Sequence, residues 1–319
     1  LLEMIEGKTA KQQKLDLSHL LAQPNNVSGQ SLYCSTPNSS HYTGSLNEEL
    51  LDKATEAIDK MSGTNLVSRI CNTDRSVGGM LSGYIASKHG NQGMAADPIR
   101  IELHGTAGQS FGVFNAGGLE MTLIGDANDY VGKGMAGGRL VVRPPIGSCF
   151  QSHQAAIVGN TCLYGATGGK LYAAGCAGER FAVRNSGVTA VIEGLGDNGC
   201  EYMTGGVVCV LGKVGINFGA GMTGGFAYVL DEAQDFEKRM NPELVETVAL
   251  DTLATHQEHL RGLIAEHLEL TGSQRAEAIL ASFDLYLPLF KLVKPKSSDV
   301  NSLLGHRARS SAELRVQAQ

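Results

Sequence analysis

Residues 125–138 read GDANDYVGKGMAGG, with five glycines, two aspartates and a tyrosine in fourteen positions. Glycines that bring backbone N–H groups close to a phosphate would make this the loop of a nucleotide site. That reading also needs a strand before the loop, a helix opening after it and a carboxylate about 20 positions further on. Three other sets of residues could carry chemistry. His256, His259 and His267 could ligate a metal, but on a helix the outer two stand about three turns apart and His259 is directed to solvent, so they share no ligand sphere. Cys34, Cys71, Cys149, Cys162, Cys176, Cys200 and Cys209 contain no C-x-x-C pair. Neither a zinc site, an iron–sulfur cluster nor a disulfide framework is signalled, and reduced, buried thiols are expected. Asp126 and Asp197 could form the carboxylate pair of a polysaccharide-cleaving enzyme, if the fold brought them together.

What positions these groups is written in the composition. Glycine supplies 41 of 319 residues, nearly twice its ordinary share of roughly 7%. Tight turns must recur. A net charge of -6, with no dense run of Lys and Arg, argues against a nucleic-acid partner. The N-terminal LLEMIEGKTAKQQK has no apolar h-region and no apolar run is long enough to span a bilayer, so a cytoplasmic location and no membrane contact are expected. A first residue of Leu1 fits a piece of a longer polypeptide.

The turns do recur. A small residue and paired glycine appear as Ala116-Gly117-Gly118, Ala136-Gly137-Gly138, Thr167-Gly168-Gly169, Thr204-Gly205-Gly206 and Thr223-Gly224-Gly225, with Asn185-Ser186-Gly187 in the remaining slot. Short strand-like runs follow, closing on Gly125, Pro144, Gly175, Gly194, Gly212 and Asp231, at spacings of 19, 31, 19, 18 and 19. The period is 19, with one insertion of 12 around PIGSCFQSHQ. Four places before each closing residue stand Met121, Leu140, Leu171, Ala190, Val208 and Ala227; two places before stand Leu123, Val142, Ala173, Ile192, Val210 and Val229. All are apolar, whereas the intervening positions are mixed, as in a strand with one face always inside.

Period two within runs and nineteen between them predicts an all-β core, a single-stranded, right-handed parallel β-helix of about 19 residues per coil, flanked by N-terminal and C-terminal helices. Coils stack at about 4.8 Å, so a corner needing φ > 0 without a Cβ selects glycine in every coil. GKGMAGG then reads as a corner rather than a phosphate loop. Asp126 and Asp197 fall three coils or roughly 14 Å apart, beyond the roughly 5–9.5 Å of a glycosidase pair. The insertion is expected to leave the cross-section as a loop, either a passive excursion or a partner contact, with deletion of residues 146–154 tolerated.

Three segments follow: residues 1–65 as linker and helix, 66–235 as the β-helix and 236–319 as a helical tail. LNEELLDKATEAIDKM, 46–61, carries Leu50, Ala54 and Ile58 on one side and a capping box at Ser45 and Glu48. In the tail, Leu253, Leu260 and Ile264 share one helical face and TGSQRAEAILASF opens a second helix. This pair is expected to dock on the end of the β-helix.

The motifs NTDRSVGGMLSG (72–83), GQSFG, GDANDYVGKGMAGG, LYGATGG, AGERFAVRNSG, GCEYMTGG and GMTGG together resemble the C-terminal glycine-repeat domain of the large subunit of bacterial NADPH-dependent glutamate synthase. The resemblance implies a non-catalytic structural domain of an enzyme that converts glutamine and 2-oxoglutarate into two glutamates. It also implies that FMN, iron–sulfur clusters, FAD and NADPH act elsewhere in that enzyme, with no cofactor in this chain. The implied partners are amidotransferase and FMN-barrel domains of the same polypeptide and a small electron-supplying subunit. The glycine repeats are also similar to those of a formylmethanofuran dehydrogenase subunit. Asn72, Thr73, Asp74 and Arg75 lie just before the first aligned coil, where a polar cluster either closes the open edge of the β-helix or bonds to a neighbouring domain.

Overall fold

The computed structural model describes residues 7–22, 29, 31, 33–37, 45–90, 93–94 and 97–304. The chain divides into two compact units, Leu1–Thr43 and Gly44–Gln319. In the first, a 3-10 turn, Gln12–Lys14, and a one-turn helix α1, Ser18–Leu21, contain no buried residue. The linker expected before residue 45 lies partly outside the described residues.

The second unit opens with helix α2, Leu46–Asp59. The Ser45 hydroxyl accepts from the Glu48 N–H at 3.3 Å, and the Glu48 carboxylate accepts from the Ser45 N–H at 3.0 Å. Two otherwise orphaned donors are thereby satisfied. Then follow β1 (Thr64–Ile70), α3 (Gly79–His89), β2 (Ile99–Ala107), β3 (Leu119–Ala127), β4 (Arg139–Arg143), β5 (Ala156–Val158), β6 (Lys170–Ala177), β7 (Ser186–Gly194), β8 (Thr204–Val210) and β9 (Gly224–Leu230). Strands β1 to β4 and β6 to β9 stack in chain order as one parallel sheet, so this second unit is a β-solenoid.

Its register is the one the closing residues predict. Met121 stands beside Leu140, Leu140 beside Leu171, Leu171 beside Ala190, Ala190 beside Val208 and Val208 beside Ala227. All twelve positions assigned to the inner face lie in one buried cluster. Two coils, those of β1 and β2, precede the six found by alignment. The coil of β2 has no paired glycine in front of it, which removed the signal. The spacing of 18 between Gly194 and Gly212 is the offset of the β7–β8 ladder, in which Ala190 stands beside Val208 and Ile192 beside Val210.

The remaining residues form β10 (Val245–Ala249), α4 (Ala254–Thr271), α5 (Gln274–Ala281), α6 (Phe283–Tyr286) and β11 (Phe290–Pro295). The expected helical tail therefore also contributes two strands. β11 runs antiparallel to β9, and β10 pairs with β11. The helices do not dock on the end of the solenoid. Leu260, Leu263 and Ile264 of α4 pack over the outward-facing Tyr172, Val191, Cys209 and Tyr228 of β6 to β9. That ladder is apolar and must be covered. The ends are closed differently: Leu50, Ala54 and Ile58 of α2 with Leu81 and Ile85 of α3 join the inner cluster at one end, and Phe236 and Val245 join it near Phe218 at the other.

Opposite the strands, each coil crosses in a backbone of alternating hand. Tyr130, Gly132 and Gly134 have φ of 64°, 64° and 62°, while the residues between them do not have positive φ. The same three-residue alternation recurs at Ser110, Gly112 and Phe114; at Thr161, Leu163 and Gly165; at Arg180, Ala182 and Arg184; at Asn198, Cys200 and Tyr202; and at Asn217, Gly219 and Gly221. Its hydrogen bonds explain it. The N–H groups of Tyr130 and Gly134 donate forward to Asn160 O and Tyr164 O, and that of Gly132 donates back to Phe111 O, each at 2.8 Å. Alternating handedness turns these donors to opposite sides, so both neighbouring coils are bonded.

The 12-residue insertion leaves after Arg143 and returns through a 3-10 turn, Ser152–Gln154, to β5, which pairs with β3 and β6. β4 and β5 together thus replace one strand. Residues 144–151 form a loop, with Ile146 92% exposed. The next residues are not expendable: the Ser152 hydroxyl donates to Glu193 at 2.6 Å and the Cys176 thiol donates to His153 O at 3.2 Å. A deletion reaching residue 154 would remove both bonds, which corrects the expectation of a passive excursion over that length.

Candidate functional site

The stretch 125–138 contains a strand and a crossing but no helix after it; β4 follows instead. Asp129 is used within the solenoid, its Oδ1 accepting from Asn160 N–H at 2.7 Å. The paired glycines divide their work. The second of each pair has positive φ: Gly118 84°, Gly138 68°, Gly169 97°, Gly206 84° and Gly225 70°. The first does not, nor does Gly187, so φ is not what selects glycine at Gly117, Gly137, Gly168, Gly187, Gly205 or Gly224. There the coils approach too closely: a Cβ on Gly205 would lie 2.2 Å from Ser186 O, one on Gly187 2.0 Å from Thr167 O and one on Gly224 2.2 Å from Thr204 O. Side-chain-free backbone is required by contact.

A buried polar cluster, unread in the sequence, stands on the covered outer face. Glu193 of β7 is fully buried and accepts from the hydroxyls of Ser152 and Ser273, with His267 Nε2 3.3 Å from its Oε1. Ser273 also caps α5, accepting from Ala276 N–H at 3.0 Å. One carboxylate thereby ties together a strand, the insertion and the tail helices α4 and α5. Burial alone pushes the Glu193 carboxyl up, but the hydrogen bonds from His267, Ser152 and Ser273 outweigh it and hold it below its ordinary value. Serine, histidine and glutamate are the residue types of a hydrolytic triad, yet their order is wrong. The carboxylate sits between serine and histidine, so neither hydroxyl faces a base that could activate it.

The thiols separate into two groups. Cys162, Cys200 and Cys209 are buried, while Cys34, Cys71 and Cys149 are exposed, which corrects the expectation of uniformly buried cysteines. Burial pushes the Cys162 thiol up to about 12 and raises Cys200 and Cys209 as well. Burial, with the nearby Glu193 charge, pushes Cys176 up to about 11. Because the thiolate is the reactive form, native protein treated with a thiol-specific disulfide reagent at neutral pH should label three cysteines rapidly and release the buried three only on unfolding. Fast native labelling of Cys200 or Cys209 would contradict the packing.

The histidines are further inside than expected. His256 and His267 are buried, and His259 turns to the sheet instead of solvent, its Nδ1 3.1 Å from the Tyr228 hydroxyl. That hydroxyl also lies 2.7 Å from His256 Nδ1, and His256 Nε2 is 3.1 Å from Val300 O. A carbonyl can only accept, so in neutral His256 the hydrogen sits on Nε2 and Nδ1 receives the Tyr228 hydroxyl. Among the described residues no group of three or more His, Cys, Asp or Glu is placed to hold a metal ion, and no helix is long and apolar enough to cross a membrane.

Asp126 accepts from the Thr106 hydroxyl at 2.7 Å, and Asp197 accepts from Ile216 N–H at 2.8 Å. In the NTDR segment, Asp74 accepts from Cys71 N–H at 2.7 Å, and Asn72 Oδ1 accepts from the Asn128 amide at 3.0 Å. Asn47 of α2 binds the following turn, donating to Arg75 O at 3.0 Å and accepting from Gly78 N–H at 3.1 Å. Thr73 and the Arg75 side chain are exposed.

Eight stacked parallel strands, glycine pairs at one corner and an alternating-hand crossing on the other side define a glycine-repeat β-solenoid domain. The chain belongs to the GXGXG motif family, whose profile matches residues 47–296. It is 45% identical over 251 residues to "Glutamate synthase [NADH]" of Schizosaccharomyces pombe, covering 79% of this chain and 12% of that one. It is 49% identical over 245 residues to "Ferredoxin-dependent glutamate synthase 2" of Synechocystis sp., covering 76% and 16%. It is 46% identical over 293 residues to the chloroplastic ferredoxin-dependent glutamate synthase of Spinacia oleracea, covering 91% and 18%. The chain thus spans less than a fifth of the length of each of these relatives and corresponds to one domain of a glutamate synthase. The alternative readings, a polysaccharide-acting enzyme or a formylmethanofuran dehydrogenase subunit, are not favoured by these matches.

Proposed function

We propose that this chain is the structural glycine-repeat domain of a glutamate synthase large chain, carrying no catalytic residue itself and holding the amidotransferase and FMN-barrel domains of the same polypeptide in place. The observation that carries the reading is the 45–49% identity to glutamate synthases over 76–91% of the chain, together with a structure whose paired glycines are engaged in stacking coils. The parent reaction is conversion of glutamine and 2-oxoglutarate into two glutamates, with FMN and iron–sulfur clusters outside this chain. The electron donor is a finer point. The resemblance implied NADPH, delivered through an FAD-bearing small subunit, whereas the relatives' names specify NADH or ferredoxin. Assaying the full-length polypeptide for glutamine-dependent glutamate formation with NADPH, NADH and reduced ferredoxin in turn tests the function and assigns the donor. Absence of glutamate with all three would end the reading.

The NTDR segment is proposed to serve both purposes weighed for it. Asn72 and Asp74 close local backbone and side-chain groups, while the exposed Arg75 guanidinium is offered to a neighbouring domain. Replacing Arg75 by alanine should leave the melting temperature of this chain within about 2 °C and lower glutamine-dependent turnover of the full enzyme. A clear loss of thermal stability would show that Arg75 belongs to edge closure instead.

A further inference from the structure

The outer face of the sheet has two halves. Over β6 to β9 it is apolar apart from the Glu193 cluster and is covered by α4 and α5. Over β1 to β3 it carries Asn65, Val67, Arg69, Arg100 and His104, all exposed. Where this half meets the insertion there is a concavity of about 790 Å³. It is lined by Arg69, His104, Thr106, Ile124 and Asp126 of the first strands and by Pro144, Pro145, Phe150 and Ile157 of the insertion and β5.

One cation in this groove, Arg69, has no carboxylate partner among the described residues. Asp126 already accepts from Thr106 at 2.7 Å, and His104 lies 2.7 Å from Glu102. Arg69 is exposed, and among the described residues its side chain makes no hydrogen bond or ion pair. Phe150, which lines the groove, is 52% exposed, and Ile146 of the same loop, 92% exposed, lines an adjoining concavity that Phe150 also borders. The loop is pinned, because the Ser148 hydroxyl donates to Pro145 O at 2.7 Å and Ser152 donates to the buried Glu193 at 2.6 Å. An ordered loop that keeps two large apolar side chains in water beside an unpaired guanidinium has the composition of an interface centre. It is also the one break in the 19-residue period, and insertions in repeat folds build binding faces.

We propose that this groove is the docking site for a segment of another domain of the same polypeptide, one that presents a carboxylate to Arg69 and apolar side chains to Ile146 and Phe150. Charge complementarity selects the carboxylate. The choice of occupant rests on the function proposed above: the chain covers 12–18% of three relatives' lengths, so most of such a polypeptide lies outside it and is tethered at high effective concentration.

Cys149, an exposed thiol one residue before Phe150, reports on whether the loop is covered. In this 319-residue chain, N-ethylmaleimide should modify Cys149 rapidly, as read by peptide mass spectrometry. In the full-length polypeptide modification should slow more than tenfold. Arg69→Glu, or the pair Ile146→Ser and Phe150→Ser, should restore the fast rate while Cys200 and Cys209 stay unlabelled, which shows that the variants remain folded. Equal rates in the two proteins would overturn the proposal. So would protection that appears in this chain alone and grows with its concentration, since the occupant would then be a second copy. Glutamate formation measured on the same samples separates the two readings: turnover with Cys149 unprotected ends the docking proposal alone, and protection without turnover ends the functional reading alone.

Discussion

Valine at position 205 should lower the melting temperature of this chain by about 10 °C, corresponding to about 4 kcal/mol. The cause is contact, because a Cβ at that position would stand 2.2 Å from Ser186 O and 2.9 Å from Ser186 C. Those atoms belong to the neighbouring strand, Ser186 pairing with Gly205 in the parallel ladder, so they cannot swing aside as a flexible side chain would. The β7–β8 interface would have to open. Thr204→Ala, one residue away and exposed, should shift the melting temperature by less than about 2 °C. If Gly205→Val melted with the parent, the stacking register of the solenoid would be wrong.

Removal of the Glu193 carboxylate should be nearly as damaging. Glu193→Ala strips a partner from Ser152, Ser273 and His267 at once, and breaking a buried charged network of this kind costs about 3–5 kcal/mol. Glu193→Gln keeps the volume and one acceptor and should lose less. The folded carboxyl is held below its ordinary value of 4.5, so its contribution to stability is present above the unfolded value and lost as pH falls through the lower folded value. The stability gap between parent and Glu193→Gln, measured by denaturant titration, should therefore be full near neutral pH and shrink below about pH 4.5. A gap that widened on acidification would reverse the sign and refute the assignment of an ionised Glu193.

The strands were readable in the sequence because one physical demand repeats. Every coil must place an apolar residue such as Leu140 or Leu171 directly against its equivalent, so the inner face is written six times over. The crossings were not readable, for a reason equally physical. Only at Gly132 and Gly134 and at Gly219 and Gly221 does glycine mark two of the three left-handed positions of one coil; elsewhere Leu163, Ala182 and Cys200 occupy positive φ, held there by bonds to both neighbouring coils. Isolated non-glycine residues in this region give no local signal. β2 was missed because Pro98 precedes it instead of a glycine pair. The Glu193 cluster gathers residues 41, 74 and 80 positions apart, and a carboxylate among mixed outer positions looks like one facing water until the helix that covers it is placed. Arg69 and the groove depend likewise on an insertion whose return path no periodicity describes.

The strap formed by β11 has a bearing on how the molecule is made. Phe290 pairs with Leu230, so the strand that covers the last coil leaves the ribosome long after the coil itself. Until then β9 presents an open edge, and the outward Tyr172, Val191, Cys209 and Tyr228 wait uncovered for α4. Early coils can form during synthesis, because each needs only its predecessor; the final ones emerge as a sticky, unfinished surface. The tail thus acts as a late-arriving closure, and a nascent chain stalled before residue 290 is the species on which chaperones would be needed.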